Sequence, residues 1–285
     1  MATQEAPLVQ TGRPWVVAQL HPFPPVAAQL MRMVSTDDAD FGGMAELIRV
    51  DTTLSAEVLR LANSPLLGCR RKILSILHAV AILGMERLKG LVMMVALRNF
   101  LAGALHMPSL LRCWRHSLAV AFLAQDIGSA CWLDRDQCYT AGLMHDLGRL
   151  ALLATFPSHY AEVLEHAEET GGDVLAAERR HFEVDHCTIG CWLVSDWELP
   201  EDFLDIVGTH HADLPRGEFD MVQTVRVACR LADALGFHVV TPRRPAGVGE
   251  ILRELPAQAR ERLGAPEDLL VELAGKINAV ECSLI

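Results

Sequence analysis

The chain has 285 residues, 51% of them apolar, and a formal net charge of −11. That is enough apolar chain for one large core or two, and no run reaches the ~18 apolar residues of a membrane span; residues 91–97 stop at Arg98. The charge is uneven, with ten Lys/Arg against eight Asp/Glu in residues 1–105 and fifteen against twenty-eight in residues 106–285. An acidic half of this kind argues against direct nucleic-acid binding, which works by neutralising phosphates, and Arg70-Arg71-Lys72 is too small a basic cluster to reverse that. The first seven residues lack the basic start and apolar core of a signal peptide, so a cytoplasmic protein with no membrane partner is expected. Eight scattered cysteines include no Cys-x-x-Cys, which predicts reduced, buried thiols and argues against a cysteine-based zinc site.

Helical periodicity dominates and strand-like alternation is scarce, which predicts an all-α fold. Apolar residues recur three and four apart over 26–34, 41–50, 54–62, 76–83 and 87–105. His21-Pro22-Phe23-Pro24-Pro25 opens the first of these helices. Asp51, Thr52 or Thr53 can cap the third, and Ser75 the fourth. Pro65, Gly84, Pro108, Gly171-Gly172, Pro200 and Pro256 punctuate the chain. Residues 110–127 are apolar almost all round, and 201–209 and 222–235 read as further helices. After a loop at 239–247, helices are expected over 256–263 and 266–282. In the last, Leu269, Leu273 and Ile277 form a stripe that should seal the bundle.

Polar residues interrupt these apolar helices in a pattern. The centre is Gly142-Leu143-Met144-His145-Asp146-Leu147-Gly148-Arg149, where an imidazole and a carboxylate sit inside an apolar stretch. Burying such a pair costs several kcal/mol unless a metal or a hydrogen-bonded partner compensates. A single His-Asp pair is commonly satisfied by a backbone carbonyl and by water. Here it has company. His116 shares a helical face with Val120, Leu123 and Ile127; His186 opens an amphipathic stretch in a His-x-x-x-Gly context; His210 and His211 end a helix; Asp233 lies among Val225, Ala228, Leu231 and Ala232. Imidazole and carboxylate are ligands that hard and borderline divalent metals accept.

The order His, His-Asp, His, His-His, Asp resembles the HD superfamily of metal-dependent phosphohydrolases. By that resemblance His116, His145, Asp146 and Asp233 hold one divalent ion, with iron or manganese favoured. His186 with His210 or His211 are the candidates for a second ion. Adjacent residues of a helix point about 100° apart, so only one of the last two is expected to ligate a given ion, and His210 is favoured. The resemblance narrows with the N-terminal third. Asn63-Ser64, the segment from Ser75-Ile76 to Leu83-Gly84, Gly142 to Gly148, and Trp197-Glu198-Leu199-Pro200 look like the HDOD family, the HD-related output domain of bacterial signalling proteins. The similarity covers roughly residues 18–240. It implies an N-terminal helical bundle packed on an HD-like helical core. The expected divisions are an N-terminal extension at 1–17, a helical part at 18–105, the core at 106–238 and a helical extension at 239–285.

HDOD domains are generally regulatory, so the resemblance implies signal transduction through contacts with signalling proteins, with a retained metal site. The alternative is a metal-dependent phosphohydrolase acting on a phosphate ester or nucleotide. In it a metal-activated water attacks, Asp146 or a nearby histidine takes the proton, and Arg149 binds the substrate phosphate. A third reading is an inactive pocket that senses a nucleotide or phosphate. Two departures weigh against cyclic-dinucleotide hydrolysis. The dyad is followed by Leu147-Gly148-Arg149 where the related phosphodiesterases carry lysine, and His210-His211 is followed by Ala212-Asp213-Leu214-Pro215-Arg216-Gly217 in place of Gly-Tyr-Pro.

Overall fold

Short polar side chains set seven helix starts among the described residues, each accepting a backbone N–H that the first turn leaves unpaired. The computed structural model describes residues 14–20, 25–34, 40–64, 72–101, 107–171, 173–212, 219–241 and 246–283. Residues 1–13, His21–Pro24, Pro65, Arg70-Arg71, Gly172, the segment 213–218 and the 242–245 part of the expected tail loop lie outside the described residues. After a 3-10 turn (Val17–Gln19) come α1 (Pro25–Val34), α2 (Phe41–Val50), α3 (Thr52–Ala62), α4 (Ile76–Leu83) and α5 (Met85–Leu101). Asp51 caps α3 by accepting from Leu54, and Ser75 caps α4 by accepting from His78. Asn63 ties the end of α3 to Ile73, just before α4: its amide donates to the carbonyls of Leu59 and Ile73 and accepts from the Ile73 N–H, all at 2.7–2.8 Å.

The second part contains α6 (Pro108–Ala130), α7 (Arg135–Met144), α8 (Leu147–Thr155), α9 (Pro157–Thr170), α10 (Val174–Phe182), α11 (His186–Asp196), α12 (Asp202–Thr209) and α13 (Met221–Ala234). Then follow α14 (Val248–Leu252), α15 (Ala257–Leu263) and α16 (Pro266–Ser283). No strand occurs among the described residues, and no helix among them is long and apolar enough to cross a membrane. The fold is the all-α architecture that the periodicity predicts.

One apolar cluster runs from Val16 to Ile277. α6 is its axis. Leu118, Ala119, Val120 and Ala121 are all buried, because α7, α13, α15 and α16 pack around that helix. α5 is buried over ten of its seventeen residues and joins α1, α3 and α4 to α7. Leu269, Leu273 and Ile277 are buried where α16 closes over α6, with Lys276 paired to Asp126 at 2.8 Å.

Two glycines set the approach of the helices that carry the dyad. A Cβ at Gly142 would lie 2.8 Å from the Ala121 Cα and from the Val120 carbonyl oxygen, so α7 rests on the backbone of α6. A Cβ at Gly148 would lie 2.0 Å from the His186 carbonyl oxygen and 2.6 Å from the Gly190 nitrogen. The His186-x-x-x-Gly190 spacing is therefore a packing feature, which lets α11 meet α8 backbone to backbone.

Candidate metal centre

His145 and Asp146 occupy the junction between two helices. His145 closes α7 and Asp146 opens α8 with a non-helical backbone (φ −101°, ψ 23°). Within one helix they would diverge by about 100°; the break turns both inward. His116 reaches them from the middle of α6 and His186 from the first residue of α11. His210 and His211 follow the end of α12. His116, His145, Asp146, His186 and His210 are all buried.

The outer face of each ring fixes what its inner face presents. His116 Nδ1 lies 2.6 Å from the Phe237 carbonyl, and His145 Nδ1 lies 2.7 Å from that of Gly142. His210 Nδ1 lies 3.1 Å from the carbonyls of Ile206 and Val207. A carbonyl only accepts, so each Nδ1 carries the proton and donates, and each Nε2 is left as a ligand nitrogen. His186 Nδ1 donates to Glu178 at 2.7 Å, and the buried Tyr160 hydroxyl donates to the same carboxylate.

Three Nε2 atoms, of His145, His186 and His210, face Asp146, and that of His116 faces His145. His116 and His145 approach each other to 3.3 Å, and His186 and His210 to 3.4 Å. Asp146 Oδ1 lies 3.3 Å from both His186 and His210, and Oδ2 lies 3.7 Å from His145. Both buried oxygens of Asp146 lack a hydrogen-bond partner. A buried carboxylate faced by ring nitrogens fits a cation by its donor chemistry. The donor atoms fall into two sets of metal-binding size: Asp146 with His186, His210 and His211, and His116 with His145 and Cys229.

Charge inside the cluster follows from burial and neighbours. Burial pushes the Asp146 carboxyl up, but Arg149 and His145 outweigh it and hold the group well below the usual carboxylate range. Burial lowers His145 and His210. It also works to lower His186, yet Glu178 holds that imidazole well above its ordinary value. Burial, with Asp233 and Asp146 nearby, pushes the Cys229 thiol well up. Arg149 is buried among these residues: Nε lies 3.4 Å from Asp146 Oδ2, and Nη2 lies 3.2 Å from His186 Nε2 and 3.4 Å from His211 Nε2. Its guanidinium is a fixed cation on the His186–His211 side.

Asp233 stands differently from the others. Its Oδ1 is 3.4 Å from His116 Nδ1, the ring edge opposite the ligand nitrogen, and its side chain is 41% exposed against 3% for His116. Cys229, one turn earlier on α13, puts Sγ 3.6 Å from His116 Nε2. His210 and His211 both belong to the Asp146 set, although His210 keeps a helical backbone (φ −61°, ψ −20°) past the end of α12. A cleft of about 370 Å³ opens beside the cluster, lined by His116, Arg149, His211, Cys229, Asp233 and Val239 among others. Cys229 and Glu178 went unnoticed in the sequence. Cys229 could have been found as the residue four before Asp233 on the same helical face. Glu178 reads as one more charge in Glu178-Arg179-Arg180, and nothing local marks it as buried.

Helices bringing buried histidines and an aspartate together in this order define an HD-type helical domain. The HDOD domain family matches residues 20–213, and the chain belongs to that family. An HDOD domain protein of unknown function from Geobacter sulfurreducens has the same fold, with a TM-score of 0.71 and 25% identity over 91% of this chain and 92% of that one. A protein of Shewanella amazonensis, provisionally described as a metal-dependent phosphohydrolase, superposes with a TM-score of 0.62 at 23% identity, covering 91% of each chain. A protein of Marinobacter aquaeolei, provisionally described as a signal transduction protein, gives 0.62 at 20% identity over 91% of this chain and 60% of that one. An uncharacterized protein of Treponema pallidum (strain Nichols) is 24% identical over 194 residues, 66% of this chain but only 37% of that protein. The chain thus spans well under half the length of that relative. The family match ends before α13, so Cys229 and Asp233 lie outside it.

Proposed function

We propose that the protein is a cytoplasmic regulatory domain that works through contacts with signalling proteins and retains a divalent metal, with iron or manganese the ions favoured by the HD resemblance. The observation that carries the metal is the set of three Nε2 atoms, of His145, His186 and His210, that face a buried Asp146 carboxylate without a hydrogen-bond partner, with His116 Nε2 beside that of His145. His116, His145, Asp146, Asp233, His186, His210 and His211 are the candidate ligands. A bound divalent ion supplies Lewis acidity and a water of lowered pKa. Arg149 argues against a second ion. Its guanidinium, 3.2 Å from His186 Nε2, supplies positive charge where that ion would sit. A single ion held by His116, His145, Asp146 and α13 mainly ties α6, α7, α8 and α13 together, which is a structural use of metal binding.

The second reading, a phosphohydrolase, is favoured by the cleft beside Arg149 and the cluster. There Arg149 would hold a phosphate oxygen and Asp146 would take the proton. Metal content, melting temperature and phosphodiesterase rate of wild type and Asp146→Ala separate the two. The regulatory reading expects bound metal in wild type, loss of metal and a lower melting temperature in the variant, and no hydrolysis by either. A metal-dependent rate in wild type, abolished in a folded Asp146→Ala protein, would establish the enzyme instead.

A further inference from the structure

The set formed by His116, His145 and Cys229 includes a residue that neither reading uses. We infer that Cys229 is a thiolate ligand of the ion held by His116 and His145, standing where the HD resemblance would put Asp233. The inference rests on the metal reading above and changes the class of metal: a nitrogen–sulfur site suits zinc or iron(II), whereas manganese prefers carboxylate and water.

Geometry carries it. All three residues are buried, and their donor atoms lie within 4.8 Å of one another. His116 and His145 present Nε2 to the shared space because each Nδ1 is occupied by a carbonyl, of Phe237 and of Gly142. Cys229 Sγ faces that same Nε2 of His116 at 3.6 Å. Asp233, one turn further along α13, faces the opposite edge of the ring, where it braces a nitrogen that already donates to Phe237. Cys229 is the cysteine that falls in a candidate metal set among the described residues. Binding involves no redox change: the metal–sulfur bond forms as the S–H bond breaks, and the proton leaves to solvent.

The test uses the full chain, stripped with a chelator and reloaded with zinc, and reads X-ray absorption at the zinc edge together with equilibrium dialysis. One sulfur at about 2.3 Å beside nitrogens at about 2.0–2.1 Å is expected in wild type. Cys229→Ser should lose the sulfur, and Asp233→Asn should keep it. Zinc bound with nitrogen and oxygen neighbours alone overturns the inference while leaving the metal reading intact. A sulfur that survives in Cys229→Ser also overturns it. No zinc uptake at all, with a folded protein by circular dichroism, removes both together. A wild-type spectrum without sulfur overturns the inference even if a variant fails to fold.

Discussion

Glu178 shows how much of the site rests on residues that touch no candidate ion. Its carboxylate is fully buried, accepts from the His186 backbone N–H at 2.8 Å and from His186 Nδ1, and receives the Tyr160 hydroxyl. Burial pushes Glu178 up, but His186 outweighs it and holds it below its ordinary value of 4.5. In return Glu178 holds His186 above 6.5. The sign follows in the metal-free protein. The Glu178 contribution is complete above 4.5 and is lost as pH falls through its lowered folded value. The His186 contribution is complete below 6.5 and is lost as pH rises through its raised one. Glu178→Gln should therefore destabilise the stripped protein by about 3 kcal/mol, as breaking a buried pair does. Urea titrations across pH should find the gap from wild type widest between 4.5 and 6.5. A gap that does not vary with pH would mean the pair is not ionised.

At the scale of elements, the dyad depends on how closely α8 meets α11. A methyl at Gly148 meets backbone on the opposing helix, which has no rotamer to change, so the two helices must separate. Gly148→Ala should cost at least about 1–3 kcal/mol and lower metal affinity together with stability, because moving α8 moves Asp146 relative to His186. Gly249 in α14 is the control: nothing lies within 4 Å of a Cβ there, so Gly249→Ala should be neutral or stabilise by about 0.4–1 kcal/mol. Thermal melts of both variants check this. Equal destabilisation would show that close approach is not what Gly148 provides.

For the whole molecule, an ion tying four helices to one another stabilises the folded state by mass action. At free metal one hundred times the dissociation constant the gain is about 2.7 kcal/mol, or ~4–5 °C in melting temperature for a chain of this size. Chelation should lower the melting temperature by that amount, and adding back excess metal should restore it. An unchanged melting curve, with metal shown to have left, would remove the structural role.

Local chemistry wrote much of this fold into the sequence. Helix periodicity predicts 41–50 and 76–83 as the structure has them, and the caps Asp51 and Ser75 are readable because capping involves residues three apart. The apolar settings of His116, His145, Asp146, His186 and Asp233 marked the candidate site, since a polar group on a buried face needs a partner. α14, short and between loops, carried too few turns for a period to register. What the sequence could not decide is which face of each ring or carboxylate meets which neighbour. Asp233 and Cys229 share one face of α13, and only the packing of that helix on α6 turns the thiol toward His116 Nε2 and the carboxylate toward Nδ1. Glu178 was hidden for the same reason: its partners, Tyr160 and His186, lie on other helices, eighteen residues before it and eight after. Periodicity reports which side of a helix is apolar; the identity of the atoms across from it exists only once the helices have packed.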